Sequence, residues 1–328
     1  MKIYLMKRSY FTFRGQKSYE LDVLGKNTVE LMEENLGAEL CDGELPMGEK
    51  IVLYPVYPLL TTEKLNEFLS VHEYSFFFAG GFVVRDGKER VLAEKIEQGL
   101  FSLSDYAAII ERAQKECAAK WLRRGAFVEE GAMVGYHAKL SRGVVVECGA
   151  RIVGNSVIEK NAVIGSNSEI VDSVIGENSE IRRSVVERSR VGKNSKIGPY
   201  AYLRPNSVVG DNCRVGDFVE LKNCRFGNGS KAAHLSYVGD AEVGENVNIG
   251  CGVVFANYNG KTKSKSFVGS SSFIGSNCNL IAPVSVGAGS FLAAGTTLTK
   301  DLQENDFCIG RCRETVKNGG AKKYLKKD

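Results

Sequence analysis

The side chains best suited to acid–base chemistry in this sequence are its histidines, of which there are three among 328 residues. Histidine titrates near neutral pH, so a well-placed imidazole serves as a general base under physiological conditions. His72 and His137 lie in segments without distinctive neighbours, whereas His234 lies in KAAHLSY (231–237), a segment that interrupts a regular repeat. A lone histidine is more often structural than catalytic, so His234 is a candidate only through its context.

Composition and charge exclude several other kinds of site. Nine cysteines are scattered without CxxC pairs, which predicts reduced thiols rather than a disulfide framework or a zinc site. A net charge of +4 favours neither a nucleic acid nor a membrane as partner, although small anionic ligands remain open. Lys7 and Arg8 break the first apolar stretch, and no later run is long enough to span a membrane. We expect a cytoplasmic protein.

The elements that must position any site follow a repeat of about six residues, which begins near Val128. Each unit opens with an aliphatic residue, commonly followed by Gly, and carries a small residue at its fifth place. A period of six excludes an amphipathic helix and fits a solenoid with three flat faces and about eighteen residues per coil. Gly or Asn at the corners tolerates the positive φ of a tight turn. The clearest units are IGSNSE (164–169), IGENSE (175–180), VGKNSK (191–196), VGDNCR (209–214), VGENVN (243–248) and VGAGSF (286–291).

Two segments depart from the repeat, KAAHLSY (231–237) and FANYNGKTKSK (255–265). Departures from a strict repeat tend to be loops, and loops on a rigid solenoid are where binding chemistry is usually placed. Before the repeat, residues 103–124 read as a connecting helix capped by Ser102 or Ser104. Residues 1–100 mix short strands such as 51–60 with a helical stretch at 62–69, which predicts a small α/β unit.

Six motifs are far more specific than the hexads: LRP (203–205), VGDFVELKN (215–223), GSKAAHLSYVGDAEVGENVNIG (229–250), ANYNG (256–260), IAPVSVG (281–287) and AAGTTLTKD (293–301). Through them, residues 197–311 resemble the acetyltransferase half of the bacterial bifunctional N-acetylglucosamine-1-phosphate uridyltransferase/glucosamine-1-phosphate acetyltransferase family. The resemblance implies a mainly β fold, a left-handed parallel β-helix over 126–328. A linker helix (101–125) and a small, degenerate nucleotidyltransferase-like α/β domain (1–100) would precede it.

The resemblance also implies an activity, which is transfer of acetyl from acetyl-CoA to the amine of glucosamine 1-phosphate in UDP-N-acetylglucosamine biosynthesis. Acetyl-CoA would be a co-substrate, and no metal would be required for this step. The family further implies a homotrimer with its sites in grooves between subunits. His234 aligns with the general base of the family, and Glu220 is placed to assist the amine or to orient neighbouring groups.

Further site residues are carried over by the same resemblance. Phosphate positions are matched by a guanidinium and two ammonium groups, the expected clamp for a sugar phosphate. The substrate positions are Arg204, Lys222 and Lys263 for the phosphate and Tyr237 and Asn248 for the sugar. The acetyl-CoA positions are the main chain at Cys251, Asn257 and Tyr258 beside the acetyl group, Ser276 and Ala294 along the pantetheine arm, and Arg311 near the nucleotide.

The sequence departs from the family at three places in this half. Cys251 stands where alanine is usual, Ala233 where glycine precedes the histidine, and Asn259 where aspartate follows Asn-Tyr. The first two add bulk without charge, and only Asn259 alters the electrostatics of its turn.

The N-terminal part departs further. The opening residues contain no Gly-rich nucleotide loop, and Pro55-Val56 replaces Gly-Asp in the strand that resembles the family's magnesium site. Valine offers no oxygen to a hard cation. We therefore expect no uridyltransferase activity, which would leave that step to a separate enzyme.

Two alternatives stay open at this point. The chain could acetylate another amino sugar or sugar nucleotide, or it could be a regulatory protein that binds a sugar phosphate without turnover. A substrate panel and an assay for CoA release distinguish them.

Overall fold

The computed structural model describes residues 2–48, 50–71, 81–85, 88–91 and 99–325, so His72 lies outside the described residues. The chain divides into two compact units, Met1–Asp172 and Ser173–Asp328. In the first unit the helices are α1 (Thr28–Leu36), α2 (Thr62–Val71) and α3 (Leu103–Arg123), with a 3-10 turn at Ser18–Glu20. Its strands are β1 (Lys2–Leu5), β2 (Thr12–Phe13), β3 (Gln16–Lys17), β4 (Glu39–Leu40), β5 (Lys50–Leu53), β6 (Gly81–Arg85), β7 (Lys88–Val91), β8 (Phe127–Val128), β9 (Met133–Val134), β10 (Lys139–Leu140), β11 (Val145–Val146), β12 (Arg151–Val153), β13 (Val157–Ile158), β14 (Val163–Ile164) and β15 (Glu169–Val171).

The second unit is almost entirely short strands, with a 3-10 turn at Gly320–Lys323. They are β16 (Val174–Ile175), β17 (Glu180–Ile181), β18 (Val185–Glu187), β19 (Arg190–Val191), β20 (Lys196–Ile197), β21 (Tyr202–Leu203), β22 (Val208–Val209), β23 (Arg214–Asp217), β24 (Glu220–Phe226), β25 (Lys231–His234), β26 (Tyr237–Val243), β27 (Asn248–Ile249), β28 (Val254–Ala256), β29 (Ser266–Val268), β30 (Phe273–Ile274), β31 (Asn279–Ile281), β32 (Val284–Val286), β33 (Phe291–Leu292), β34 (Thr297–Leu298) and β35 (Phe307–Cys308).

A five-stranded sheet organises the N-terminal part of the first unit, in the order β4-β1-β5-β6-β7. β1 pairs in parallel with β4 and β5, and β6 and β7 run antiparallel. Helix α1 packs on this sheet and starts with a capping box, in which Asn27 and Glu30 each accept a hydrogen bond from the other's backbone N–H. The helix expected near 62–69 is present as α2, whereas the strand expected at 51–60 is confined to Lys50–Leu53, as β5.

Helix α3 matches its prediction to within one residue and has Ser102 as its cap, whose hydroxyl accepts a hydrogen bond from the Asp105 N–H at 3.2 Å. Its buried side chains are Ile109, Ala113, Cys117 and Trp121, spaced as one face of a helix. Cys117 Sγ donates to the Val134 carbonyl at 3.2 Å, so this face covers the first coil. None of the helices in the described part of the chain is long and apolar enough to cross a membrane.

The repeat folds as a left-handed parallel β-helix, in which each strand pairs with the equivalent strand of the next coil. In the first unit the partners are eighteen residues apart, as for Lys139 and Val157. In the second unit the spacing is eighteen between Lys196 and Arg214 but seventeen between Arg214 and Lys231. The aliphatic first residues of the hexads face inward and are fully buried, for example Ile164 and Ile175.

The corners adopt the left-handed conformation that the hexads predict, mostly at Asn and Gly. Gly252 has φ +75°, and a Cβ there would collide with the Asn277 side chain of the next coil. Glycine avoids both the strain of this backbone angle and the displacement of the Asn277 side chain. At one corner, bulky residues take the same conformation in three successive coils, namely Tyr200, Phe218 and Leu235.

The expectation that 231–237 forms a loop is wrong. Residues 231–234 are strand β25, Leu235 is an ordinary corner with φ 40°, and β26 begins at Tyr237. The step from Ala232 to Val238 is a regular six residues, and the residue missing from this coil falls earlier, between the inward-facing Leu221 and Phe226, which are five apart. The second interruption is a true loop: β28 ends at Ala256, β29 begins at Ser266, and partners across this coil, such as Asn248 and Phe273, are twenty-five residues apart.

Candidate functional site

The predicted base and three predicted acetyl-CoA residues lie at equivalent places of successive coils. In register, Ala232 pairs with Ile249, Ile249 with Ile274, and Ile274 with Leu292. Two residues after each of these positions come His234, Cys251, Ser276 and Ala294, in that order. All four are exposed, and adjacent strands lie about 4.8 Å apart, so the row from His234 to Ala294 is about 14 Å long. We name these four residues the acyl column.

The acyl column offers small side chains and regularly placed backbone groups. The carbonyl of Cys251 accepts from the Asn277 N–H and that of Ser276 from the Gly295 N–H, each at 2.8 Å, which fixes the row to the coils behind it. At its far end, Arg311 Nη1 donates to the Ala294 carbonyl at 2.8 Å. A thin, extended ligand would fit along such a row, with a guanidinium at one end and an imidazole at the other.

His234 has a partner that the sequence analysis missed. Its Nδ1 lies 2.6 Å from Oδ1 of Asp217, and the two residues are direct partners in the parallel pairing of β23 and β25. The side chains are 56% and 37% exposed, so the pair lies at the surface and the imidazole is only partly covered. Asp217 and His234 are seventeen positions apart, which is one coil in this part of the chain. That spacing is the sequence signal that would have identified the pair.

Around the corner from His234, on the face formed by β24 and β26, lies a group of charged side chains. Arg204 Nη1 donates to Glu220 Oε1 at 2.8 Å, and the Arg204 guanidinium lies 5.9 Å from the centre of the Tyr202 ring. The hydrogen bond to Glu220 raises the pKa of Arg204, so this group stays fully charged. Glu220 pairs in register with Tyr237, which brings the predicted sugar position beside the ion pair.

Two ammonium groups complete this charged group. The Lys263 side chain is the main cause that lowers the pKa of Lys222, and partial burial lowers it further. The negative charge of Asp240 opposes this shift. The two lysines must therefore lie close together, although like charges repel. We name Arg204, Lys222, Lys263, Glu220 and Asp240 the basic cluster. It sets three cations against two carboxylates, which favours binding of an anion.

Asp240 is the second residue that the sequence analysis missed, and it is 92% buried. Asn223 Nδ2 donates to its Oδ1 at 2.7 Å, and Asn257 Nδ2 donates to Oδ2. Burial acts to raise the pKa of Asp240, but these hydrogen bonds and the charges of Lys222 and Lys263 together lower it. Each asparagine is seventeen residues, one coil, from Asp240, so the network again follows from the register.

Asn257 and Tyr237 are tied into the same network. Asn257 is buried, and its Nδ2 also approaches the Tyr237 hydroxyl at 3.4 Å. The Tyr237 hydroxyl lies over Gly239, where a Cβ would collide with it. The structure therefore gives Asn257 a supporting role under the basic cluster, and its predicted contact with an acetyl group stays a prediction.

The long loop of this coil presents Tyr258 and Lys263, which form an isolated antiparallel bridge. Asn259 stabilises the turn between them, because its Oδ1 accepts from the N–H groups of Lys261 and Thr262 at 2.9 and 2.8 Å. An amide oxygen performs this role as a carboxylate would. The departure at Asn259 is thus compatible with an ordered loop, in which the Tyr258 hydroxyl donates to the Gly260 carbonyl at 2.7 Å.

The structure brings most predicted residues into two neighbouring sets, the acyl column and the basic cluster. Asn248 lies apart from the basic cluster, on the face of His234, in register between Lys231 and Phe273. A groove of about 690 Å³ elsewhere on this unit, lined by residues that include Arg225, Glu242 and Phe267, contains none of the predicted site residues.

The residues that resemble the family's magnesium-site strand do not lie in a strand, because β5 ends at Leu53 and Pro55-Val56 follows it. Val56 is fully buried, in a cluster with Leu5, Leu53 and Tyr57. Its carbonyl accepts from the Leu100 N–H at 2.7 Å. Among the described residues no group of three or more His, Cys, Asp or Glu is arranged to hold a metal ion.

Residues 188–223 match the family model described as bacterial transferase hexapeptide (six repeats). The chain is also similar to proteins named bifunctional protein GlmU. It is 48% identical to that of Clostridium novyi over 59% of this chain and 43% of the relative, and 48% identical to that of Clostridioides difficile over 62% and 43%. Identity to the Listeria monocytogenes protein is 40% over 73% and 54%. The chain spans about half the length of these relatives.

Replacing Asp240 by asparagine tests the network under the basic cluster. Because the fold lowers the pKa of this carboxyl group, its contribution to stability is present above the unfolded value, about 3.9, and is lost as pH falls through the folded value. We expect Asp240→Asn to lower the free energy of unfolding by about 1–3 kcal/mol at pH 7. The difference from the wild type should shrink below about pH 4.

Urea denaturation of both proteins at a series of pH values measures this. Asp211→Asn is the control, because Asp211 accepts from the Lys193 N–H at 2.7 Å outside the cluster. A stability difference that grew as the pH fell would contradict the assignment.

Proposed function

We propose that the chain, whose β-helical part is similar to proteins named bifunctional protein GlmU, transfers acetyl from acetyl-CoA to the amine of glucosamine 1-phosphate. The observation that carries the proposal is the juxtaposition of the acyl column and the basic cluster on either side of one corner. His234 ends the strand before that corner and Tyr237 begins the strand after it. A base therefore stands where a thioester ligand and an anionic sugar would meet.

The proposed reaction is direct attack without a covalent acyl-enzyme. The amine nitrogen forms a bond to the thioester carbonyl carbon, and the C–S bond breaks after the tetrahedral intermediate. His234 Nε2 takes the proton that the amine loses, and this proton then passes to the departing CoA thiolate. The main-chain N–H of Cys251 is the proposed stabiliser of the oxyanion, because the flanking Gly250 and Gly252 N–H groups and the Tyr258 hydroxyl already donate to carbonyl groups.

The basic cluster supplies the proposed recognition of the acceptor. A sugar phosphate carries close to two negative charges, which the Lys222 and Lys263 ammonium groups and the Arg204 guanidinium would neutralise. Arg204 is already oriented by Glu220 and by the Tyr202 ring, so little side-chain entropy is lost when phosphate binds. Tyr237 and Asn248 are the proposed contacts to the sugar ring, and Arg311 the contact near the nucleotide end of CoA.

The main test is product analysis. Purified protein incubated with acetyl-CoA and glucosamine 1-phosphate, without added metal, should release CoA and form N-acetylglucosamine 1-phosphate, identified by mass spectrometry. Addition of UTP and Mg²⁺ should form no UDP-N-acetylglucosamine, because buried Val56 offers no ligand to the metal. A panel of other amino sugars and sugar nucleotides is the control. Stronger turnover on one of them would replace the acceptor, and no CoA release with any of them would favour the regulatory alternative.

His234→Ala and Arg204→Ala form a contrasting pair. A positioned base contributes about 10²- to 10⁴-fold to a rate, so His234→Ala should lose turnover by about that factor while both ligands still bind. Arg204→Ala should raise the KM for glucosamine 1-phosphate and leave acetyl-CoA binding unchanged, because one phosphate contact is lost. Steady-state kinetics with calorimetric titration of each ligand separates the two effects. Near-normal turnover of a folded His234→Ala protein would refute the general-base assignment.

The proposed assembly is a homotrimer with the site between subunits. It is supported by a ridge of exposed apolar side chains beside the acyl column, formed by Tyr200, Phe218 and Leu235, which are 52, 60 and 58% exposed. The rings of Tyr200 and Phe218 are stacked, with centroids 5.6 Å apart. Sedimentation should give three times the mass of the chain, and a fully active monomer would remove the shared site. The cytoplasm is the proposed location, since nine free thiols suit a reducing compartment.

A further inference from the structure

We propose that Asp217 is a positioning residue for the reaction, which holds the His234 imidazole in the tautomer whose Nε2 accepts the substrate proton. The inference rests on the proposed function of His234 as a base. The two side chains meet at 2.6 Å between Asp217 Oδ1 and His234 Nδ1. Neither the hexad pattern nor the motif resemblance assigns Asp217 a role.

The backbone fixes this pair. Asp217 and His234 are register partners at the ends of β23 and β25, and the Leu235 N–H donates to the Asp217 carbonyl at 2.8 Å, which closes the corner beside them. At the preceding residue, a Cβ on Gly216 would collide with the Ala233 carbonyl, so the two coils approach too closely for any side chain there. The carboxylate and the imidazole are therefore held side by side by main-chain contacts as well as by their own hydrogen bond.

The chemistry of the two groups sets the tautomer. An ionised aspartate only accepts hydrogen bonds, so the shared proton belongs to His234 Nδ1. A neutral imidazole has one N–H and one lone pair, which leaves the lone pair on Nε2. When Nε2 takes the amine proton, the imidazolium forms next to a carboxylate that stabilises it. Asp217 itself exchanges no proton with the substrate.

The other carboxylates nearby are engaged differently. Glu220 pairs with Arg204 at 2.8 Å, and Asp240 accepts from Asn223 and Asn257. Of these three carboxylates, Asp217 is therefore the one that contacts the proposed base. The assignment separates the two acidic residues of the VGDFVE segment, with Asp217 orienting the histidine and Glu220 orienting the guanidinium.

Asp217→Asn is the decisive variant, because an amide keeps the shape of the side chain but can also donate to Nδ1 and move the imidazole proton to Nε2. The control is Asp211→Asn, which removes the same charge six residues earlier in this unit, where Asp211 accepts from the Lys193 N–H. The chain has three histidines, so nitrogen NMR of protein labelled with ¹⁵N-histidine resolves three rings, and His234→Gln assigns the relevant one.

Spectra are recorded at about pH 8.5, above the ordinary imidazole pKa of about 6.5. We expect an unprotonated Nε2 on His234 in the wild type and in Asp211→Asn, and a protonated Nε2 in Asp217→Asn. The kcat of Asp217→Asn should fall about 10- to 100-fold, less than for a buried pair because both side chains are partly exposed, with KM for both substrates within about twofold. A merely structural role would move neither the tautomer nor the ratio of kcat to KM.

The outcomes distinguish this inference from the proposed function. If Asp217→Asn left the tautomer and kcat at wild-type values while His234→Ala was inactive, the positioning role would be overturned and the acetyltransferase would stand. If the wild type released no CoA from any acceptor but Asp217→Asn still moved the imidazole proton, the positioning role would stand and the proposed reaction would fail.

Discussion

Parallel, in-register stacking of one coil on the next is the constraint on which the rest of this structure depends. Backbone hydrogen bonds tie each residue to the one about eighteen positions later, so separation along the chain becomes a fixed separation in space. Chemistry that needs several groups in a row is then built by repeating a position, as in the acyl column from His234 to Ala294. The same ladder brings Asp217 to His234 and Asn223 to Asp240, whereas Tyr258 and Lys263 of the predicted site come from the long loop between β28 and β29.

The period of six predicted the solenoid, its inward aliphatic residues and its left-handed corners, because all three follow from one local geometry. It failed at 231–237, where alanine opens the hexad at Ala232 and the corner holds Leu235 instead of Gly or Asn. The residue types of the hexad changed there, whereas the backbone pairing between coils did not. The site residues came from the motif resemblance, and Asp217 and Asp240 were missed because hexad content ignores pairs one coil apart. A search for polar pairs seventeen residues apart finds both.

Charge is distributed over the two faces so that each acidic group has a distinct partner. On the face of β24 and β26, Glu220 neutralises a guanidinium at the surface, whereas Asp240 is buried and is held by two amides. That buried carboxylate lets Lys222 and Lys263 lie close together, although the repulsion still lowers the pKa of Lys222. An anion bound between them would relieve this repulsion.

The N-terminal part has a structural role that does not depend on a metal site at Val56. The end of a solenoid exposes apolar residues unless another element covers it. In this chain α3 covers the first coil, where the Ala126 N–H donates to the Trp121 carbonyl and Cys117 donates to the Val134 carbonyl. The α/β part in turn holds both elements, because the Tyr106 hydroxyl donates to the Asp22 carbonyl and the Tyr136 N–H to the Leu24 carbonyl. A domain of this kind stabilises the first coil through its packing and backbone contacts, and none of those contacts requires a nucleotide or a metal.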